Sequence, residues 1–249
     1  MPLNIRQPTG TVPWPCILLA GTKGAGKSYT AVEASNSILV DRAYVLTLGE
    51  EVPDDLALIP GANFSIVEHD GTYDSILEQV TEVAALASLK TPHLFVFDGA
   101  TALWELIRNN RQAVANERAK QLALAQKRTI ADSNAPLGND DWDAINTDWY
   151  RVINTIRRMA GPTIITAKLE ETERGWRVRA HQDLAYDVSA VVELPERGTF
   201  RLTKLKSAAN PIAGTVDLGD FHVDNIWGDL GLHGSRPARE LALPVRNAA

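Results

Sequence analysis

The chain has 249 residues, 45% of them hydrophobic and 22% charged, with a formal net charge of −6; this is the composition of a soluble globule, long enough for one large α/β domain. Its apolar runs are only a handful of residues, which excludes a bilayer-spanning helix; the Met-Pro-Leu-Asn start reads as lacking a signal peptide, and a single cysteine, Cys16, excludes an internal disulfide. The acidic balance argues against a surface coated in cations but leaves room for a local basic stripe on a phosphate backbone, and the five histidines lack metal-ligand spacing, so no structural zinc, no membrane and a cytoplasmic location are expected.

Residues 1–14 carry three prolines and no periodicity, and read as an N-terminal arm before a domain expected to span 15–233, with 234–249 as an unstructured tail. Cys16-Ile17-Leu18-Leu19-Ala20 has the continuous apolar character of a strand covered on both faces. It leads into Gly21-Thr22-Lys23-Gly24-Ala25-Gly26-Lys27-Ser28, which fits G-x-x-x-x-G-K-[ST], the phosphate-binding loop. Glycines let the chain curl so that successive N–H groups point at phosphate oxygens, and the helix that follows adds its positive dipole end. On this reading Lys27 reaches the terminal phosphates, the Ser28 hydroxyl completes a Mg²⁺ shell, Tyr29 closes the nucleotide-binding set, and Lys23 is an additional solvated cation.

From Tyr29 to Val40 the spacing predicts a helix with Ala31, Val32, Ala34, Ser35 and Ile38 toward a sheet. Ala43 to Leu48 is a second buried strand, ending at Gly49-Glu50-Glu51. A carboxylate at the carboxyl end of a strand adjacent to the phosphate loop can activate a water, so Glu50 is the candidate base; a solvated loop is the alternative reading. Phe64–Val67 predicts a short strand and Tyr73 to about Ala87 a helix with Ile76, Leu77, Val80, Val83 and Ala84 on one face. His93-Leu94-Phe95-Val96-Phe97-Asp98 then has the Walker B pattern, whose Asp holds Mg²⁺.

A helix follows from about Thr101 with Leu103, Trp104, Leu106 and Ile107. Between Arg108 and Arg128 stand Arg108, Arg111, Arg118, Lys120, Lys127 and Arg128 against Glu117 alone, and from Asp132 to Asp148 the sign reverses. The basic part reads either as a phosphate-tracking arm or as a long solvated helix, and charge alone favours the second. After the Ser133–Asn139 loop, Trp142 to Met159 is again helical, Gly161-Pro162 stops it, and Thr163–Lys168 is a buried strand whose Thr166 and Lys168 are candidate phosphate sensors. Arg174, Trp176, Arg177 and Arg179 alternate with Gly175 and Val178 as in an exposed hairpin; that suits stacking on single-stranded bases, and equally an edge hairpin protected by charge. Val188–Leu194 and Thr199–Lys206 alternate and are expected as antiparallel additions to the sheet. Beyond Gly214, hydrophobic positions from Val216 to Leu230 suggest further packing.

Taken together these residues resemble the RecA family of ATPases. Phe95-Val96-Phe97-Asp98-Gly99-Ala100-Thr101-Ala102-Leu103 is similar to that family's strand ending in Asp-Ser and running on to Ala-Leu, and Glu50 stands where the family has its water-activating glutamate. Lys204-Leu205-Lys206 resembles a Lys-x-Lys segment that reaches the nucleotide of a neighbouring protomer, and Lys168 falls where the family often has a glutamine coupling the terminal phosphate to DNA. The small size looks most like the phage-encoded minimal RecA cores, the Sak-type single-strand annealing recombinases or phage AAA ATPases. The resemblance implies an α/β RecA-like P-loop NTPase core: a mostly parallel sheet with helices on both faces and antiparallel strands on the C-terminal side. It implies ATP and Mg²⁺ as cofactors, Lys27, Glu50 and Asp98 as catalytic residues, and Lys204 and Lys206 acting across protomers of a filament or ring. Single-stranded DNA would contact Arg108, Arg111, Arg118, Lys120, Arg174, Trp176, Arg177 and Arg179, with a single-strand-binding protein as a further partner. Two other readings stand beside it: a nucleotide-dependent switch serving a replication or packaging partner, and a small-molecule kinase.

Overall fold

Cys16 to Ala20 is apolar at every position because both of its faces are covered. In a computed structural model of the chain the run forms β1 (Cys16–Gly21). Its Cys16, Leu18 and Ala20 enter one apolar layer, and Ile17 and Leu19 enter another on the opposite side. The structure describes residues 5, 7, 12–49, 53–86, 92–128, 134–173, 175–219 and 221–232. Most of the predicted arm, Glu50, Arg174 and the whole 234–249 tail lie outside these described residues.

The other strands are β2 (Arg42–Thr47), β3 (Ser65–Ile66), β4 (His93–Asp98), β5 (Thr163–Thr172), β6 (Gly175–Arg179), β7 (Ala190–Leu194), β8 (Phe200–Leu205) and β9 (Val216–Leu218). They make one sheet in the order β3-β2-β4-β5-β1-β7-β8-β9, with β6 pairing only to β5. The pairs from β3 through to β7 are parallel, and β8, β9 and β6 are antiparallel additions. Parallel strands need crossover helices, which cover the faces. On one side lie α2 (Tyr73–Leu86), α3 (Ala100–Ala125) and α4 (Asn139–Arg157), supplying Ile76, Val80, Leu103, Trp149, Ile153 and others to that layer. On the other lie α1 (Lys27–Glu33) and α6 (Val223–Asp229), with Trp227 fully buried. A one-turn helix, α5 (Leu184–Asp187), precedes β7. The fold is thus α/β with a mostly parallel sheet, helices on both faces, and antiparallel strands on the C-terminal side.

α3 spans 26 residues, about 39 Å at 1.5 Å per residue, and its course sets up the site. Trp104 near its start packs edge-on against Trp149 in mid-α4 at 5.6 Å, while Arg111 and Arg118 further along reach Asp141 at the start of α4. The two helices are therefore antiparallel. α4 ends by handing the chain to β5 at the amino edge of the sheet, where Phe95 N–H donates to Pro162 O. α3 consequently runs outward from the carboxyl edge instead of returning over the sheet, and its distal residues, including Leu122 and Leu124, are exposed.

Three expectations need correction. Ile38 is 97% exposed, because α1 ends at Glu33 and tightens into a 3-10 turn. Polar side chains in that turn bond to loop backbone in place of continuing the helix: the Ser35 hydroxyl accepts from Asn63 N–H, and Asn36 Nδ2 donates to Pro60 O. Second, β7 is parallel to β1, and its near-continuous burial is what a strand flanked by β1 and β8 requires. Third, β2 is not adjacent to the phosphate-loop strand: β4 and β5 stand between β2 and β1.

Candidate nucleotide site at the carboxyl edge of the sheet

β1 delivers the chain to the carboxyl edge, and the next residues turn back into α1. Gly24 and Gly26 hold φ of 75° and 93°, a left-handed conformation that a side chain disfavours, and Gly26 is the residue from which α1 starts. A Cβ at either glycine would meet nothing within 4 Å, so the requirement lies in the backbone alone. Among the described residues the N–H groups of Gly24 and Gly26 make no hydrogen bond. The loop is anchored on β7: Thr22 N–H donates to Leu194 O at 3.1 Å and its hydroxyl to Pro195 O at 2.8 Å.

Lys27 Nζ curls over this loop and donates to Thr22 O at 2.8 Å. Burial holds its ammonium below the ordinary lysine range, Asp98 pulls it back up, and Lys168 pushes it further down. These three charges therefore face one another at the same edge. Asp98 ends β4, Thr166 is its register partner on β5, and the Thr166 hydroxyl donates to Asp98 Oδ1. Lys168, two residues on, is the register partner of Gly21 and is exposed. The structure thus brings Gly21 to Ser28, Asp98, Thr166 and Lys168 together. Lys23 within the loop and Tyr29 just after it are exposed.

The Ser28 hydroxyl and the Asp98 carboxylate are hard oxygen donors set around a depressed ammonium, a chemistry that suits Mg²⁺ carried by a polyphosphate. Among the described residues no group of three or more His, Cys, Asp or Glu forms a metal cluster, and no helix is long and apolar enough to cross a membrane. A surface cavity of about 740 Å³ lies in the groove between α2 and α4, lined by Thr81, Asp143, Tyr150, Arg151 and Arg158 among others. It offers no turn of inward-facing N–H groups, so the phosphate loop is the candidate site by its chemistry.

The basic residues are differently disposed. Arg111 Nε and Arg118 donate to one oxygen of Asp141, at 3.1 and 2.8 Å, and Gly138 N–H donates to the other at 2.9 Å. These bonds, led by that from Arg118, hold the Asp141 carboxyl below its usual range. Arg108 lies over the rings of Trp104 and Trp142, Lys120 is 3.9 Å from Glu117, and Arg179 pairs with Glu105 at 2.6 Å. Trp176 and Arg177 stand exposed on β6, which with the outer part of β5 forms a hairpin projecting past the carboxyl edge.

Lys204 and Lys206 sit at the opposite edge, pairing beside Val191 and Ser189 at the start of β7. Lys204 Nζ donates to Ala185 O and Tyr186 O at 2.6 and 2.7 Å, and Lys206 Nζ to Tyr186 O at 3.1 Å. Both therefore cap the carbonyls of α5 in their own chain. Burial, and then the like charge of Lys206, push Lys204 down to about 8.

Sequence reasoning missed three residues near the site. His69 Nε2–H donates to Thr47 O at 2.8 Å and Nδ1 accepts from Gly71 N–H, tying the exit of β3 to the end of β2. Glu193, one strand from the loop, has its carboxyl raised by burial, with Arg201 opposing. Thr101, at the start of α3, is 2% exposed with both hydrogen-bonding roles of its hydroxyl used. A buried hydroxyl inside the apolar run Ala-Thr-Ala-Leu was the signal available for it.

No protein-family model and no curated protein matches the sequence. Among solved structures, the fold is similar to that of the crystal structure of the RadB recombinase, with a TM-score of 0.48 and 17% identity over 84% of this chain and 88% of that one.

Proposed function

We propose that the chain is a Mg²⁺-dependent ATPase of RecA-like type acting on single-stranded DNA in recombination or replication. The observation that carries this reading is the convergence of the Gly21–Ser28 loop, Lys27, Asp98 and Lys168 on one sheet edge. Lys27 and the loop N–H groups would hold the phosphates, Ser28 and Asp98 the Mg²⁺ that supplies charge neutralisation there, and Glu50 would orient the water. The exposed β5–β6 hairpin rises from the same edge and offers Trp176 for stacking and Arg177 for phosphate contact. In an assembly of the phage minimal-core kind, Lys204 and Lys206 would have to leave their own α5 carbonyls to act on a neighbour.

The test is the steady-state ATP hydrolysis rate with and without single-stranded DNA, with Lys27→Ala as the blank. A several-fold rise with DNA, absent from the blank, is the expected result; turnover indifferent to DNA would sink the DNA part of the reading. One observation favours a second reading, a nucleotide-dependent switch: Arg111, Arg118 and Arg179 are already paired with carboxylates of their own chain. A Glu50→Gln protein that turns over ATP normally would remove the base assignment and favour that switch.

A further inference from the structure

Two projections leave the carboxyl edge, α3 and the β5–β6 hairpin, and one side chain joins their roots. Lys168 and Arg179 are register partners where the hairpin begins. In an antiparallel pair the rung at this position joins Lys168 N–H and the Arg179 carbonyl. The Thr101 hydroxyl sits at that rung, accepting from Lys168 N–H at 2.9 Å and donating to Arg179 O at 2.6 Å. One helical turn further on, Glu105 holds the Arg179 guanidinium at 2.6 Å. α3 thus grips the hairpin twice, by backbone and by side chain.

The same helix starts from the nucleotide site. Asp98 lies three residues before Thr101, and Asp98 is tied to Thr166, two residues before Lys168. Two hydroxyl contacts, Asp98 with Thr166 and Thr101 with Lys168, therefore fasten the β4–α3 corner to consecutive outward steps of β5. Thr101 itself, buried at 2% exposure, cannot turn to water if either contact shifts. A displacement of the Asp98 corner must move the hairpin root with it or strip a buried hydroxyl of its partners.

We propose that Thr101 is a positioning residue, whose hydroxyl links occupancy of the phosphate loop to the placement of the β5–β6 hairpin. The proposal rests on the nucleotide-site reading above. It makes the hairpin responsive to bound nucleotide through a side-chain contact at its first rung, and it gives Glu105 a supporting part.

The experiment is amide hydrogen exchange over residues 168–179, with and without Mg²⁺ and a non-hydrolysable ATP analogue, alongside the analogue's Kd. In the unmodified protein the analogue should change hairpin exchange rates by about threefold or more, the scale of a sub-kcal/mol shift in local opening. Thr101→Val should bind the analogue within about threefold of the unmodified protein yet lose the hairpin response, and Thr101→Ser should restore it. Should Thr101→Val not fold, Glu105→Gln, on the partly exposed arm of the grip, is expected to weaken the response by itself. A full response in Thr101→Val, in Glu105→Gln where that variant stands in, or no response in an unmodified protein that binds the analogue, overturns the linkage and leaves the nucleotide site standing. No binding by the unmodified protein overturns both.

Discussion

The Thr166 hydroxyl donates to Asp98 Oδ1 across the β4–β5 pair. Because β5 stands between the Asp98 strand and the phosphate-loop strand, this bond fixes the direction in which the carboxylate faces the loop. Thr166→Val removes it while keeping shape, since Thr166 is buried at 1% exposure. The expected result is kcat for ATP hydrolysis lower by about tenfold, or about 1.4 kcal/mol of barrier, with little change in KM. Thr166→Ser should stay close to the unmodified rate. An unchanged kcat in the valine variant would show that Asp98 needs no such orientation.

Among the described residues the cations divide into those paired with carboxylates and those, such as Arg177, without such a pair, and salt titration separates them. Arg111 and Arg118 close over Asp141, which is screened from water by their two guanidinium groups near the surface and not by deep burial. Arg111→Ala should therefore lower the melting temperature and leave the salt slope of single-stranded DNA binding unchanged. Arg177→Ala should leave the melting temperature alone and make the slope of log affinity against log salt shallower by about 0.7. The reverse pattern would assign the DNA contacts to α3 and not to the hairpin.

Much of this was legible in the sequence where one local rule decides the outcome. The apolar run before Gly21 and the one before Asp98 emerge as β1 and β4, because strands buried on both faces leave no choice of residue. Ser35 and Asn36 defeated helical periodicity because their side chains found loop backbone distant in sequence, which no local window contains. The direction of β7 was illegible for a related reason: alternation reports burial of each face and says nothing about which neighbour the strand meets. The charge count between Arg108 and Arg128 is open to a phosphate-tracking arm or a solvated helix, and the commitment of Arg111 and Arg118 to Asp141 is not in it, because that depends on an antiparallel packing across a loop. Thr101 and His69 are legible only once β5–β6 and β2–β3 are side by side.

His181 gives the fold an acid-sensitive element. It is 7% exposed, stacked on Trp149 at 5.7 Å, edge-on to Trp104 and Tyr150, with Nε2 3.2 Å from Asn146 Oδ1. Burial lowers its pKa below the ordinary 6.5, with Asp183 and Asp187 opposing. Between that lowered value and 6.5 the unfolded chain binds more protons than the folded one, so the contribution is intact above pH 6.5 and lost as pH falls through the folded value. His93, also lowered chiefly by burial, acts in the same sense. The melting temperature should fall from pH 7.5 to pH 5, and His181→Gln, though less stable at pH 7.5, should show a smaller fall. An equal fall in both proteins would place the acid sensitivity elsewhere.

Two glycines should fail in opposite ways when replaced by alanine. A Cβ at Gly161 would lie 2.0 Å from His93 O, a backbone atom of the first residue of β4, where Phe95 N–H also docks to Pro162 O. Neither side is a flexible side-chain end, so the α4–β5 connection must lift off the sheet. Overpacking of this kind costs about 2 to 3 kcal/mol, which in a chain of this length lowers the melting temperature by roughly 5 to 10 °C. The site is at the amino edge, so nucleotide affinity of the folded protein should be unchanged. Gly24 meets nothing, and its replacement bears only the cost of a left-handed backbone, about 1 kcal/mol. That cost is relieved by letting the loop relax, which turns its N–H groups away from the phosphates. Gly24→Ala should therefore melt within a few degrees of the unmodified protein and bind ATP at least tenfold more weakly, as read by a thermal-shift titration with Mg²⁺. Equal losses of affinity in the two variants would mean that the Gly21–Ser28 loop is not where the nucleotide is held.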